Sequence, residues 1–221
     1  CSDNQSLLKK LTRRGGFGGD GDEFAKEILF KKGLSFLKSL AIRTMNQEIF
    51  ELPLKLSGMS EGILKKRAVI LARFIKYYND LLGLKADDAY LCGLFYNFSY
   101  VTYEKLIHLQ ALEQSAFDQC REDCVRWTAQ AMIDTGFDDS ITSFIADSSK
   151  DLFSTSFPLG QALARIGNGL LINAEESAST SMRRGATIDR DLLDVTGLTT
   201  REIVNVLKEL TRDYKGGLNH Q

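Results

Sequence analysis

Apolar residues recur three, four or seven positions apart along almost the whole chain, and no stretch of strict apolar–polar alternation runs longer than a few residues. A strand needs a period of two to bury one face, whereas a helix needs one near 3.6. The spacing therefore predicts an all-α protein. Only 2 prolines in 221 residues stand in its way. With 43% hydrophobic and 26% charged residues, the chain fits one compact unit or two small ones packed together. A chain of this length buries roughly 70% of its unfolded surface, so stability gives no reason to look for a metal or disulfide staple.

Charge and residue counts remove several function classes. The 28 Lys and Arg against 29 Asp and Glu leave a net charge of −1, which supplies no global field for nucleic acid or anionic lipid. The longest apolar runs, such as 68–72, fall far short of the roughly 20 residues that span a bilayer. Cys1, Cys92, Cys120 and Cys124 are too few and too uneven for a disulfide framework, and reduced thiols point to a cytoplasmic protein. A chain that begins at Cys1 without Met is expected to be an excerpt of something longer; the alternative is a lipoprotein acylated at Cys1. His108 and His220 are the only histidines, so a multi-histidine metal centre or proton relay is hard to build.

Along the chain, Leu7, Leu8 and Leu11 begin a short amphipathic segment that ends in the cluster Gly15, Gly16, Gly18, Gly19 and Gly21. Asp20 and Glu23 form a capping box ahead of 24–31, and 34–51 carries one apolar face. The longest helix is expected from 57–60 to Gly83, with Ala68, Val69, Ala72, Ile75 and Leu82 in the core. The stretch 86–103 is apolar nearly all round and should form one central helix, with Gly93 close against a neighbour. Helices are expected over 112–135, with Trp127 as a core anchor, from Asp138 to Ile145, and over 158–173. Gly160, Gly167 and Gly169 should allow close approach there, and 175–187 reads as a loop. Thr199 and Glu202 form a second capping box before the stripe Ile203, Val206, Leu207 and Leu210.

Three motifs have plain readings that outweigh the functional ones. Gly16 to Gly21 matches G-x-G-x-x-G, but a polar amphipathic helix precedes it instead of a buried strand, so an interhelical turn fits better. Cys120 and Cys124 share a helix face, where core packing is the ordinary fate of free cysteine and zinc ligation the alternative. The segment 189–213 has a helix-turn-helix outline, yet its second helix balances Arg201, Lys208 and Arg212 with Glu202, Glu209 and Asp213, a poor phosphate surface.

The segment Leu91-Cys92-Gly93-Leu94-Phe95-Tyr96-Asn97-Phe98-Ser99-Tyr100 resembles the signature "aGLLHDIGkl" of the HD phosphohydrolase superfamily and of its HDOD branch. Ser2-Asp3-Asn4 with Leu8, Leu11 and the glycine turn is similar to the HDOD stretch "sDP…LLrlaNSayyG", and 24–41 to "aI..LGl..lr.lal". Downstream, 117–149 follows "fG.dHaevGa.Ll..WglP..i..aI..HH" without a gap. The resemblance implies an HD-like multi-helical bundle over 57–221, with a smaller helical N-terminal subdomain over 1–56 that is incomplete at its start.

HD chemistry uses a histidine, then an adjacent His-Asp pair, then a later aspartate, which together hold metal ions that activate water against a phosphoester. As the resemblance implies, the His-Asp pair is matched here by Tyr96-Asn97, the first ligand falls near 64–66 where no histidine stands, and the last falls at Asn168. Asp123-Cys124 stands at the HDOD "dH" and Asp147-Ser148 at its "HH". Amides in place of carboxylates, without imidazoles, remove the charge a divalent cation needs. The expectation is a non-catalytic bacterial signalling domain with no cofactor, which regulates through a protein partner in two-component or cyclic-dinucleotide pathways, away from the membrane. Tyr96 is expected to fill the vacated space and hydrogen-bond Asn168. Two alternatives stand beside it: a diverged phosphohydrolase with Asp123, Asp147 and Cys124 as unfamiliar metal ligands, and, more weakly, a nucleic-acid-binding regulator.

Overall fold

The computed structural model describes residues 62–109, 117–179 and 188–218, all in the second of the two units into which the chain divides, Pro53–Gln221. The segments expected before residue 62, including the subdomain over 1–56, the glycine turn and the first capping box, lie outside the described residues. Among the described residues the architecture is all-α: nine α-helices, two short 3-10 turns and no strand.

Helix α1 (Ile63–Tyr77) forms the spine, burying Leu64, Ala68, Ile70, Leu71, Ala72, Phe74 and Ile75. It stops short of the expected end at Gly83. The chain breaks at Tyr78, whose N–H donates to Ile75 O at 3.1 Å, and resumes as the single turn α2 (Asn79–Leu82), which Gly83 ends at φ 64. Helix α3 (Ala86–Phe95) lies against α1. Their closeness depends on Gly93: a Cβ there would stand 2.6 Å from both Ala72 Cα and Leu71 O.

The expected single helix over 86–103 is two helices, α3 and α4 (Ser99–His108). Between them Phe98 N–H donates to Phe95 O at 2.9 Å and Val101 N–H to Phe98 O at 2.9 Å. These three-residue bonds tighten the backbone and turn the helix axis without a proline or a glycine. Helix α5 (Phe117–Asp134) packs on α4 and on α6 (Asp139–Ala146). Its buried stripe is Cys120, Cys124, Val125, Thr128, Ala129 and Met132. Trp127 is not a core anchor: it is 55% exposed. It sits three residues past Cys124 and one before Thr128, off the line joining the buried positions.

Two 3-10 turns, Asp147–Ser149 and Leu152–Ser154, lead into the longest described helix, α7 (Pro158–Ser179). Helix thus continues through the first part of 175–187, which the Ser, Ala and Thr content marks as a loop. Gly160 and Gly167 sit close to aromatic rings, with a Cβ falling 2.7 Å from Phe144 Cε2 and 2.9 Å from Phe74 Cδ1, whereas Gly169 faces open space. Helix α8 (Arg190–Thr196) ends at Gly197, φ 64, and α9 (Thr200–Leu218) buries Ile203 and Leu207 and packs on α1.

The capping box of α9 is reciprocal. Thr199 N–H and Oγ1–H both donate to Glu202 Oε2 at 2.7 Å, and Glu202 N–H donates to Thr199 Oγ1 at 3.3 Å. The Thr199 hydroxyl and N–H hold the Glu202 carboxyl below its ordinary range. Thr199→Ala removes the N-cap, and chemical denaturation should show a loss of about 1 kcal/mol. No loss would mean that packing on α1 alone sets the start of the helix.

Candidate functional site

Tyr96 and Asn97 occupy the break between α3 and α4, and both are buried. The turn sends their side chains to different neighbours. Asn97 Nδ2 donates to Asn168 Oδ1 on α7 at 2.7 Å, across 71 positions of sequence. The bond expected from Tyr96 to Asn168 is absent, because the amide of the next residue has taken that partner. The Tyr96 ring instead meets Phe144 edge-on at 6.4 Å, and its buried hydroxyl lies beside Arg165, which can donate to it but cannot accept its proton. Burial raises the phenol's pKa, against opposition from Arg165 and Arg121.

Asp147 and Ser148, at the 3-10 turn after α6, are also buried. Asp147 Oδ2 accepts from Ser156 N–H at 2.6 Å and Oδ1 is 2.7 Å from Lys150 Nζ. Burial would push this carboxyl up, but the Lys150 ammonium and the Ser156 N–H outweigh it and hold the group below its ordinary value. Arg165 donates to Lys150 O and ties α7 to the same turn.

Asp123 faces outward on α5 and pairs with Arg126 at 2.5 Å. Cys124 turns inward beside Cys120 and Tyr103, and burial, with Cys120 next to it, pushes its thiol up to about 12. Burial takes Cys92 to about 12 as well. A thiol so rarely ionised is a packing group and a poor ligand. The set Asp123, Asp147 and Cys124 therefore does not converge: each is engaged elsewhere, and among the described residues no three His, Cys, Asp or Glu side chains are grouped to hold a metal.

Of the seven expected site residues the structure joins Asn97 to Asn168, with Tyr96 adjacent in sequence. The pair is uncharged and satisfies itself, which suits a structural tie or a polar ligand better than a bare cation. Near the first-ligand position Leu64 is buried, and Arg67 Nε and Nη2 reach Glu175 Oε2 on α7 at 2.7 and 2.6 Å. Glu175 lies seven residues beyond Asn168, on the same helix face. That spacing was available in the sequence, and the reading of 175–187 as a loop concealed it. Apart from these groups, a shallow groove of about 200 Å³ is lined by Leu82, Leu84, Phe144, Phe157 and Pro158 among others, and none of the seven residues lines it.

No protein-family profile, curated protein or solved structure matches the chain. No described helix is long and apolar enough to cross a membrane.

Proposed function

We propose that the chain is a non-catalytic regulatory module of the HDOD type, working in a bacterial cytoplasm by binding a protein partner in two-component or cyclic-dinucleotide signalling. The observation that carries this reading is the 2.7 Å bond from Asn97 to Asn168. These are the two positions to which the resemblance assigns metal-binding carboxylates, and both hold amides. An amide can donate to its neighbour as a carboxylate cannot, so the two residues now bind each other, where two carboxylates would repel unless a cation lay between them. Tyr96, in the place of the histidine, offers a buried phenol with a raised pKa, a weak ligand at neutral pH.

The test is hydrolysis of a simple phosphodiester in the presence of manganese or iron(II). Wild-type protein and the double variant Tyr96→His, Asn97→Asp are both expected to show no metal-dependent turnover, because the variant still lacks the first histidine and the final aspartate. Metal-dependent turnover by either would return the phosphohydrolase reading.

A further inference from the structure

We propose that the groove between α2, α6 and the start of α7 is a docking site for a cationic segment of a partner protein, which seats one large apolar side chain in it. The inference takes from the regulatory reading only that the partner is a protein, and it uses none of the residues that carry that reading. The groove forms where three elements meet around a residue without a side chain. A Cβ at Gly160, in the first turn of α7, would fall 2.7 Å from the Phe144 ring of α6 and 3.6 Å from Leu82 of α2. Leu84, past the turn at Gly83, and Phe157 and Pro158, ahead of α7, complete a lining around about 200 Å³. The apolar surface continues in the segments beside it. Leu81, which precedes Leu82, is 50% exposed, and Phe153, on the turn that leads into 156–158, is 83% exposed. Exposed apolar residues are ordinary when scattered singly, and mark an interaction surface when they gather at one place.

The charge on these segments is one-sided. Stretches 79–88, 138–146 and 147–160, which supply the lining, carry seven aspartates against two lysines, in a chain whose net charge is only −1. Asp80, Asp87, Asp138, Asp139 and Asp151 are exposed. Lys150 is held by the buried Asp147 at 2.7 Å, which leaves Lys85 within these stretches and Lys76 of α1, 3.9 Å from Asp87. Arg165, further along α7, donates to Lys150 O. The first turn of α3 brings its acids toward α6, on which α3 packs. Burial and then Asp138 raise the Asp88 carboxyl, against Lys85, as crowded acids should.

An apolar slot with acids around it selects its occupant. A second copy of the chain would bring the same acids to the same place, and like charges set against each other are unfavourable. A bare cation needs carboxylates that converge, and among the described residues no three are grouped. The volume is below the roughly 300 Å³ at which pockets enclose a drug-sized ligand. It has room for one large side chain. Acids spread over three elements are matched by several Lys and Arg side chains strung along one peptide, with the apolar anchor between them.

The test is fluorescence anisotropy of a dye-labelled synthetic peptide, one phenylalanine flanked on both sides by lysines and arginines, titrated with the full chain. Binding should be saturable and should weaken as salt is added. Alanine in place of the peptide's phenylalanine should weaken it about tenfold, the worth of burying one apolar side chain, and a peptide with glutamates for its basic residues should not bind. The double variant Asp80→Asn, Asp151→Asn lies on the surface and should melt like wild type, with peptide affinity about fivefold lower. Leu84→Gln keeps the volume and makes the lining polar; it should lose about as much as deletion of the anchor, and the surface variant keeps the test decisive if this one folds poorly. Equal affinity for the peptides with and without phenylalanine, or unchanged affinity in both protein variants, would overturn the proposal. So would a dimer that Leu84→Gln dissolves, which would assign the groove to a second copy. Metal-dependent turnover in the hydrolysis assay would remove the regulatory reading and leave peptide binding standing, whereas failure to bind the peptide would remove this inference alone.

Discussion

Gly93→Ala, the smallest possible addition, is expected to lower stability by about 3 kcal/mol, near the upper end of the usual cost of overpacking. The added Cβ would fall 2.6 Å from Ala72 Cα and 2.6 Å from Leu71 O. Both are backbone atoms of α1, so no rotamer change can relieve the clash, and the two helices must separate along their shared core. For a chain of this size that loss corresponds to roughly 6–12 °C in Tm. Gly93→Leu should be worse and is expected to be recovered only as unfolded protein. A matched control lies on α7, where Gly169 has nothing within 4 Å of its ideal Cβ. Gly169→Ala should raise stability by about 0.5–1 kcal/mol, because alanine loses less conformational freedom in a helix. Equal melting of Gly93→Ala and wild type would mean that α1 and α3 do not approach as described.

Asp147→Ala is expected to cost roughly 2 kcal/mol at neutral pH, the worth of a charge-assisted hydrogen bond in a buried setting. The carboxylate is 2% exposed and joins Ser156 N–H to Lys150 Nζ, so its loss frees the two 3-10 turns that connect α6 to α7. The effect should depend on pH with a definite sign. Burial raises this carboxyl and its partners lower it by more, so its folded value lies below the ordinary 3.8. A group depressed in this way contributes stability that is present above its unfolded value and is lost as pH falls through its folded value. Denaturant unfolding of wild type and Asp147→Asn should therefore differ at pH 7 and converge toward about pH 2. A gap unchanged across that range would show that the charge is not what holds the turns.

Helix content and core faces were legible in the sequence because a 3.6-residue period is written directly into residue order: Ala68, Ala72 and Ile75 are fully buried, as their spacing implies. Local chemistry was legible for the same reason, as in the Thr199–Glu202 box, whose two members are three residues apart. The helix breaks at Tyr78 and at 96–98 were not, since neither contains the proline or glycine that normally announces one. Trp127, expected as a core anchor, is exposed because its angular position on α5 carries it off the buried stripe. Within the candidate site, Asn97 and Asn168 are 71 residues apart, and nothing in either local sequence pairs them. Only the resemblance offered both as positions of one site. Arg165 and Glu175 resemble ordinary solvated charges until the packing shows the Lys150 carbonyl beside one and Arg67 beside the other.

The exposed position of Trp127 has a use as an optical probe. It is the only tryptophan in 221 residues, and the residue is 55% exposed on a helix whose opposite face is packed. Its emission should already be that of a hydrated indole in the native protein, and soluble quenchers should reach it without unfolding. Heating will therefore move the emission maximum little. A shift to the blue on mixing with another molecule would mean that something has covered the outer face of α5, so one chromophore separates docking on that face from melting of the core behind it.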